Sequence, residues 1–356
     1  MCYVLRRLSL TCCGQDSPSR HREGSVVKNI TISDVAEALG VSKTTVSRAI
    51  SGKGRIGKET RERVLAYIEE NNYKPSVIAK GLAQSKTYNI GVMMPAEYDI
   101  VDLPFFQNCL FGIQEVAAMK DYDILLSISH PGDGEQLKRV LSNRKVDGVI
   151  LMRTFVKDLQ AGLLAKTDLP FVTIGTTDVE GAVQVDSDHK NACRELTSVL
   201  LKKQLKKIAL VGGDKGHVVT QKRFQGYREA FLDCGVPLQE NLIFLDMEGP
   251  DVLEQQMEEI LVQGAEVILC MDDMLCSRVL KKLRTRKIRV PKDVKVASFY
   301  HSTILEQNVP SITSLSFDGK ELGQMACRRL MEQIEGENPQ QVTVLGYRII
   351  MADSTE

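Results

Sequence analysis

From Asn89 onward the chain alternates short apolar runs with longer amphipathic stretches, and no other feature limits its fold as much. The runs are IGVMMP (90–95), DILLSIS (123–129), GVILM (148–152), FVTIG (171–175), KIALVGG (207–213), NLIFL (241–245), EVILC (266–270) and VKVASF (294–299). Each is five to seven residues long, the length of a strand buried on both faces. The intervening stretches 105–120, 133–144, 188–204, 221–234, 252–263, 273–286 and 319–335 carry helical spacing. Leu196, Val199 and Leu200 share one face, as do Leu322, Ala326 and Leu330. Buried strands separated by helices predict parallel βαβ units with right-handed crossovers. Eight or so strands exceed one such sheet, and the turn-rich GTTDVEGAVQVDSDHKN (175–191) divides them near the middle. The prediction is two doubly wound α/β lobes. Ligands meet such sheets at the carboxyl ends of the strands, here in a cleft between the lobes.

The segment ahead of the lobes is of another kind. In ITISDVAEALGVSKTTVSRAISGKGRI (30–56), Ser33 is placed to cap a helix whose inward side is Val35, Ala36 and Leu39. Gly40 supplies the positive φ of a tight turn, and Val41 fills the corner. Ser42 can cap a second helix with Val46, Ala49 and Ile50 inward. A third helix, Glu59 to Asn71, contributes Val64, Leu65 and Ile68, completing a helix-turn-helix bundle. Lys43, Thr44, Ser47 and Arg48 then face outward near the start of the second helix, where a major groove would receive them. Arginine can grip the O6/N7 edge of guanine, threonine a base edge or thymine methyl, and lysine a base or phosphate. Helix-start amides with Lys53, Arg55 and Lys58 would position the backbone. The DNA-contacting candidates of this module are Ser42, Lys43, Thr44, Ser47, Arg48 and Ser51. A solvated face in a protein-binding module is the plainer alternative; the caps, the Gly-Val corner and the basic face together favour DNA.

Charge distribution agrees. The formal net charge is zero, yet residues 28–87 hold eleven Lys/Arg against six Asp/Glu, while 88–356 hold 31 against 38. Only the small end suits a polyanion. No run of eighteen apolar residues exists to span a membrane. Nine cysteines, with no CxxC pair and mostly within apolar stretches, predict reduced thiols in a cytoplasm rather than disulfides or a zinc site. The five histidines show no metal spacing, no G-x-S-x-G elbow is present, and GGDKG (212–216) lacks the Lys-Ser/Thr ending of a phosphate loop. No metal, cofactor or catalytic set is expected. Residues 1–28 have too short an apolar run for a signal peptide and read as a disordered or mis-annotated extension, with translation starting at Val26 or Val27.

ITISDVAEALGVSKTTVSRAISG, followed by ETRERVLAYIEENNYKPSVIAKGL, resembles the headpiece of the LacI/GalR family of bacterial transcription regulators. The similarity continues in order through LPFF (103–106), KVDGVIL (145–151), RFQGYREAF (223–231), VKVASF (294–299), ITSLSFDGKELGQMA (312–326) and IEGENP (334–339), covering about residues 29–354. The resemblance implies a headpiece over 29–74, a hinge helix and linker over 75–87, and over 88–356 a core of periplasmic-binding-protein type that binds an effector and dimerises. It implies a cytoplasmic, nucleoid-associated homodimer that reads a palindromic operator on double-stranded DNA as a repressor. The hinge helix would span Ser76–Gln84 and fold on the operator, Leu82 wedging into the minor groove and Lys80 meeting phosphate. Nine residues, weakened by Gly81, make a marginal helix in water, so its order should depend on DNA. The dimer interface would run along helices near 105–119 and 273–286.

In the cleft, the resemblance places Arg223 on ligand hydroxyls or acid groups and Asp272 at a ligand-binding place, with a helix cap as its other reading. Phe105 and Phe317 match cleft-lining places. Tyr300 stands where many sugar-binding members keep an aspartate, and Gly175 lacks a carboxylate found in some relatives. Fewer acceptors beside a retained Arg223 tilt the expectation from a neutral sugar toward an acidic or phosphorylated ligand, such as a sugar acid. Two other classes stay open: a sugar-binding receptor without a DNA role, and an enzyme using the cleft, for which Asp272 and Arg223 make a poor acid–base pair.

Overall fold

The computed structural model describes residues 30–52, 54–71, 73, 81, 84–96, 104–130, 132–247 and 249–356. The N-terminal extension, Lys80, Leu82 and the side chain of Ser51 lie outside the described residues; of the hinge segment only Gly81 and Gln84 are described, and both are helical. The chain forms two compact units, Met1–Lys80 and Gly81–Glu356.

The first unit contains α1 (Ile32–Leu39), α2 (Lys43–Ser51) and α3 (Lys58–Glu70). α1 is capped by Thr31 and not by Ser33: the Thr31 hydroxyl accepts from the Asp34 amide, and the Asp34 carboxylate accepts from the Thr31 amide at 2.7 Å. Thr31 and Asp34 stand three apart, the spacing at which cap and carboxylate satisfy each other, so the helix starts one position after Thr31. Gly40 ends it at φ 63°, and Ser42 caps α2 by accepting from the Thr45 amide at 3.1 Å. Val35, Ala36, Val46, Ala49 and Val64 are buried together. Leu65, expected inside, is 41% exposed, and the buried place beside Val64 goes to Tyr73 from beyond α3.

The second unit runs β1 (Asn89–Pro95), α4 (Pro104–Met119), β2 (Asp123–Ser129), α5 (Glu135–Ser142), β3 (Gly148–Leu151), α6 (Leu159–Leu164), β4 (Phe171–Ile174) and β5 (Val183–Ser187). It continues through α7 (His189–Lys202), β6 (Ile208–Val211), α8 (Val218–Asp233), β7 (Ile243–Phe244), α9 (Pro250–Val262), β8 (Val267–Cys270), α10 (Asp273–Thr285), β9 (Lys295–Ser298) and α11 (Thr303–Glu306). Then come β10 (Thr313–Ser316), α12 (Gly319–Ile334), β11 (Val342–Leu345) and β12 (Arg348–Ile350). Two six-stranded sheets result, in the orders β11-β5-β4-β3-β1-β2 and β12-β10-β9-β8-β6-β7. Every pairing is parallel except that of β12 with β10.

The eight expected strands are all present, and four more join them. β5 lies inside 175–191, so that stretch both supplies a strand to the first lobe and, after Ser187, carries the chain across to the second, dividing the eight expected strands four and four. The chain passes between lobes three times, after β5, after β10 and after β11, and α12 returns to pack on α4 in the first lobe. That packing is close because Gly112 and Gly323 face backbone: a Cβ on Gly323 would sit 2.0 Å from the Cys109 carbonyl oxygen. β10 escaped the pattern because its sequence, TSLS, holds one apolar residue. Its buried hydroxyls are satisfied locally, Thr313 by Ala352 and Thr355, and Ser314 by Ile312 and His301. Among the described residues six cysteines are free thiols, five of them buried.

Candidate functional site

The outward face of α2 is as the spacing requires. Ser42, Lys43, Thr44, Ser47 and Arg48 are exposed, while Val46 and Ala49 between them are buried. The Ser42 hydroxyl is engaged with the Thr45 amide and hydroxyl, which makes it a cap before it is anything else. Arg48 lies along the turn after the helix, where a Cβ on Gly54 would come within 3.3 Å of its Cδ and Nε. Gly54 adopts φ 88° and leaves that space open.

In the second unit a cavity of about 160 Å³ lies between the lobes at the carboxyl ends of their strands. Four expected residues, Phe105, Arg223, Asp272 and Tyr300, line it. Phe317 does not: it is buried one layer back, 4.6 Å from the His189 ring, because the chain there is already crossing from β10 to α12. Phe105 meets Tyr300 edge-on at 6.0 Å across the cleft. Arg223 is half-buried on α8; its Nη1 donates to the Met271 carbonyl at 2.5 Å, and its buried Nε makes no hydrogen bond within the protein. It is thus no surface arginine. Asp272 serves both readings, lining the cavity and accepting from the Leu275 amide at 2.7 Å as the cap of α10.

The sequence missed several lining groups: Arg153, Thr176, Asp186, His189, His217, Asp273 and Arg278. Asp186 and His189 are buried with Asp186 Oδ1 3.6 Å from His189 Nε2, and Lys222 of the other lobe approaches Asp186 Oδ2 at 3.8 Å. Burial raises the Asp186 carboxyl to about 6, against the pull of Lys222. Burial, then the charges of Arg223 and Lys222, hold His189 well below its ordinary value, so its imidazole is neutral. Burial likewise raises Asp272 and Asp273. Acceptors are therefore not scarce, which corrects the reasoning from Tyr300 and Gly175: three carboxylates stand beside Arg153, Arg223 and Arg278. Gly175 itself has a packing reason. At φ 111° a Cβ there would lie 2.6 Å from the Thr154 hydroxyl. Arg153 directly follows one apolar run and Asp273 stands three residues beyond another, so both were findable by the carboxyl-end rule; Asp186 sits in β5, a strand that was not recognised.

Residues 31–76 match the model of bacterial regulatory proteins of the lacI family, and residues 197–355 match a periplasmic binding protein-like domain. Catabolite control protein A of Streptococcus mutans is 31% identical over 312 residues, covering 86% of this chain and 92% of that protein. The chain belongs to the LacI family. This LacI-family chain is a DNA-binding transcription regulator. The HTH-type transcriptional regulator RegA of Clostridium saccharobutylicum is 29% identical over 332 residues, 91% of this chain and 98% of that one. Among solved structures, the transcriptional regulator CelR in complex with cellobiose superposes with TM-score 0.70 at 27% identity, over 91% of this chain and 99% of that one. The lac repressor dimer bound to operator and an anti-inducer superposes with TM-score 0.76 at 22% identity, over 92% and 99%, which is a likeness of fold. No helix among the described residues is long and apolar enough to cross a membrane.

Proposed function

We propose that this regulator is a cytoplasmic, homodimeric repressor that binds a palindromic operator and whose operator affinity is set by a sugar or sugar acid held between its lobes. One observation carries the effector: Thr176 Oγ1, His189 Nδ1 and Arg223 Nε, contributed by both lobes, are buried at one cavity without a hydrogen-bond partner in the protein. Buried polar groups left so are costly, and a polyhydroxylated ligand offers each of them a partner. Phe105 and Tyr300 supply apolar surface for a ring face, and Asp186, Asp272 and Asp273 supply acceptors for its hydroxyls. The balance of three carboxylates and three guanidinium groups suits a neutral sugar as well as an acid. The cellobiose complex of CelR supports the sugar class. The lac repressor complex supports pairing of two chains on one operator. Exposed Phe111 and Met119 on α4, with Leu126 and Ile128 on the edge strand β2, offer apolar surface for that pairing. The DNA contacts assigned to Ser42, Lys43, Thr44, Ser47, Arg48, Ser51, Lys80 and Leu82 belong to the same proposal, as do the domain limits 29–74, 75–87 and 88–356.

The test is calorimetry of the full chain with a panel containing cellobiose, glucose and gluconate. Saturable binding of at least one compound is expected, weakened ten-fold or more by Arg223→Ala. No heat from any sugar or sugar acid, or binding indifferent to Arg223, would overturn the effector assignment.

A further inference from the structure

The three chain crossings between lobes follow β5, β10 and β11, strands at or next to one edge of each sheet. A fourth connection joins the lobes elsewhere, without any crossing of the chain. Phe155 after β3 pairs with His217 ahead of α8 as an isolated antiparallel bridge. The Val156 amide donates to the Gly216 carbonyl at 2.9 Å, and the Val218 amide donates to the Thr154 carbonyl at 3.2 Å. Side chains reinforce the bridge: the Phe155 and His217 rings meet edge-on at 5.3 Å, and Arg153 Nη1 lies 3.1 Å from His217 Nδ1. His217 is 2% exposed. Arg153 in turn covers the Phe106 ring at 4.9 Å, on the floor of the cavity.

Position gives this bridge its leverage. In the first sheet β3 stands two places from β5, and in the second β6 stands three places from β10. At 4.7–4.9 Å per strand that is roughly 10 Å and 14 Å from the crossings. Rotation of the lobes about the crossings must separate these segments, so a bond there resists opening with a long lever arm. His217 also stands immediately before α8, the helix that carries Arg223 to the cavity.

We propose that the Phe155–His217 bridge is a latch that holds the lobes closed before any effector binds, with His217 as the positioning residue that joins Arg153 of one lobe to the start of α8 in the other. Its consequence for effector entry rests on the cavity being the effector site; the latch itself does not, and it is tested without a ligand. In the effector-free full chain, hydrogen exchange read on peptides containing Val156 and Val218 is expected to be at least ten-fold slower than in unstructured chain. Phe155→Ala and His217→Ala should each remove that protection while β8, buried in the second sheet, keeps its own. Because the two residues form a non-hydrogen-bonded antiparallel pair, whose Cα atoms stand about 4.5 Å apart, Phe155→Cys with His217→Cys should cross-link within one chain under mild oxidation. Unprotected Val156 and Val218 in the wild-type chain would overturn the latch. So would protection that survives both alanine variants. If an alanine variant loses β8 protection it has unfolded, and the cysteine pair decides: failure to cross-link overturns the latch and a cross-link in the effector-free chain upholds it.

Discussion

Arg48 and Asp186 represent two ways in which a residue reaches its role here. Arg48 is exposed on the outward side of α2, to which the proposed function assigns DNA, and its side chain runs beside Gly54. Its truncation to alanine is expected to cost about 1–3 kcal/mol of operator affinity and to relax preference at one base position, measured by competition among single-base operator variants. Equal loss on every variant would make it a phosphate contact. Asp186 is a carboxylate kept in a dry place. Its folded value of about 6 exceeds the ordinary 3.8, so between those values the folded chain holds more protons than the unfolded one. Stability from this group therefore falls as pH rises through that window and stays lowered above it. Asp186→Asn should raise Tm at pH 7, by an amount worth roughly 3 kcal/mol at most, with the gain fading as pH approaches 4. Side chains of the first kind were legible in the sequence because helical spacing fixes which way they point. Those of the second kind were not: Arg153, Asp186 and Arg278 come from elements far apart in the chain and share one cavity only because the two lobes meet there.

At the scale of elements, local chemistry decided the boundaries. Thr31 and Asp34 satisfy each other's groups and start α1, where the sequence alone also offered Ser33. Thr31→Ala is expected to lower the thermal stability of the first unit by about 1 kcal/mol, seen as an earlier helical transition by circular dichroism, whereas Ser33→Ala should change little. The apolar runs identified eight strands, most of them because parallel strands buried on both faces need nearly continuous apolar sequence, while the edge strand β2 keeps such a run with Leu126 and Ile128 exposed. The same rule concealed β5, β10, β11 and β12. β5 alternates Val183 and Val185 with polar residues, β10 hides its hydroxyls against the segment 352–355, and the other two are short edge strands. The second and third crossings could not be read from the chain, since they depend on α12 and β11 returning to the first lobe, whereas the first falls inside 175–191 as expected.

For the whole molecule, the basic end and the two-lobed sensor make sense only together. A single headpiece contacts few base pairs, so affinity and specificity call for two, and in the proposed function the effector bound between the lobes sets how firmly the pair holds one site. Effector and operator must then influence each other by the same factor. The most direct measurement is selection of random duplexes by the purified full chain, followed by titration of the enriched site between 50 and 200 mM salt. A palindromic site should emerge, and its affinity should fall by about three orders of magnitude or more over that range as phosphate contacts release their counterions. Selection that enriches no palindrome at low salt, or binding that ignores salt, would contradict an operator-reading regulator.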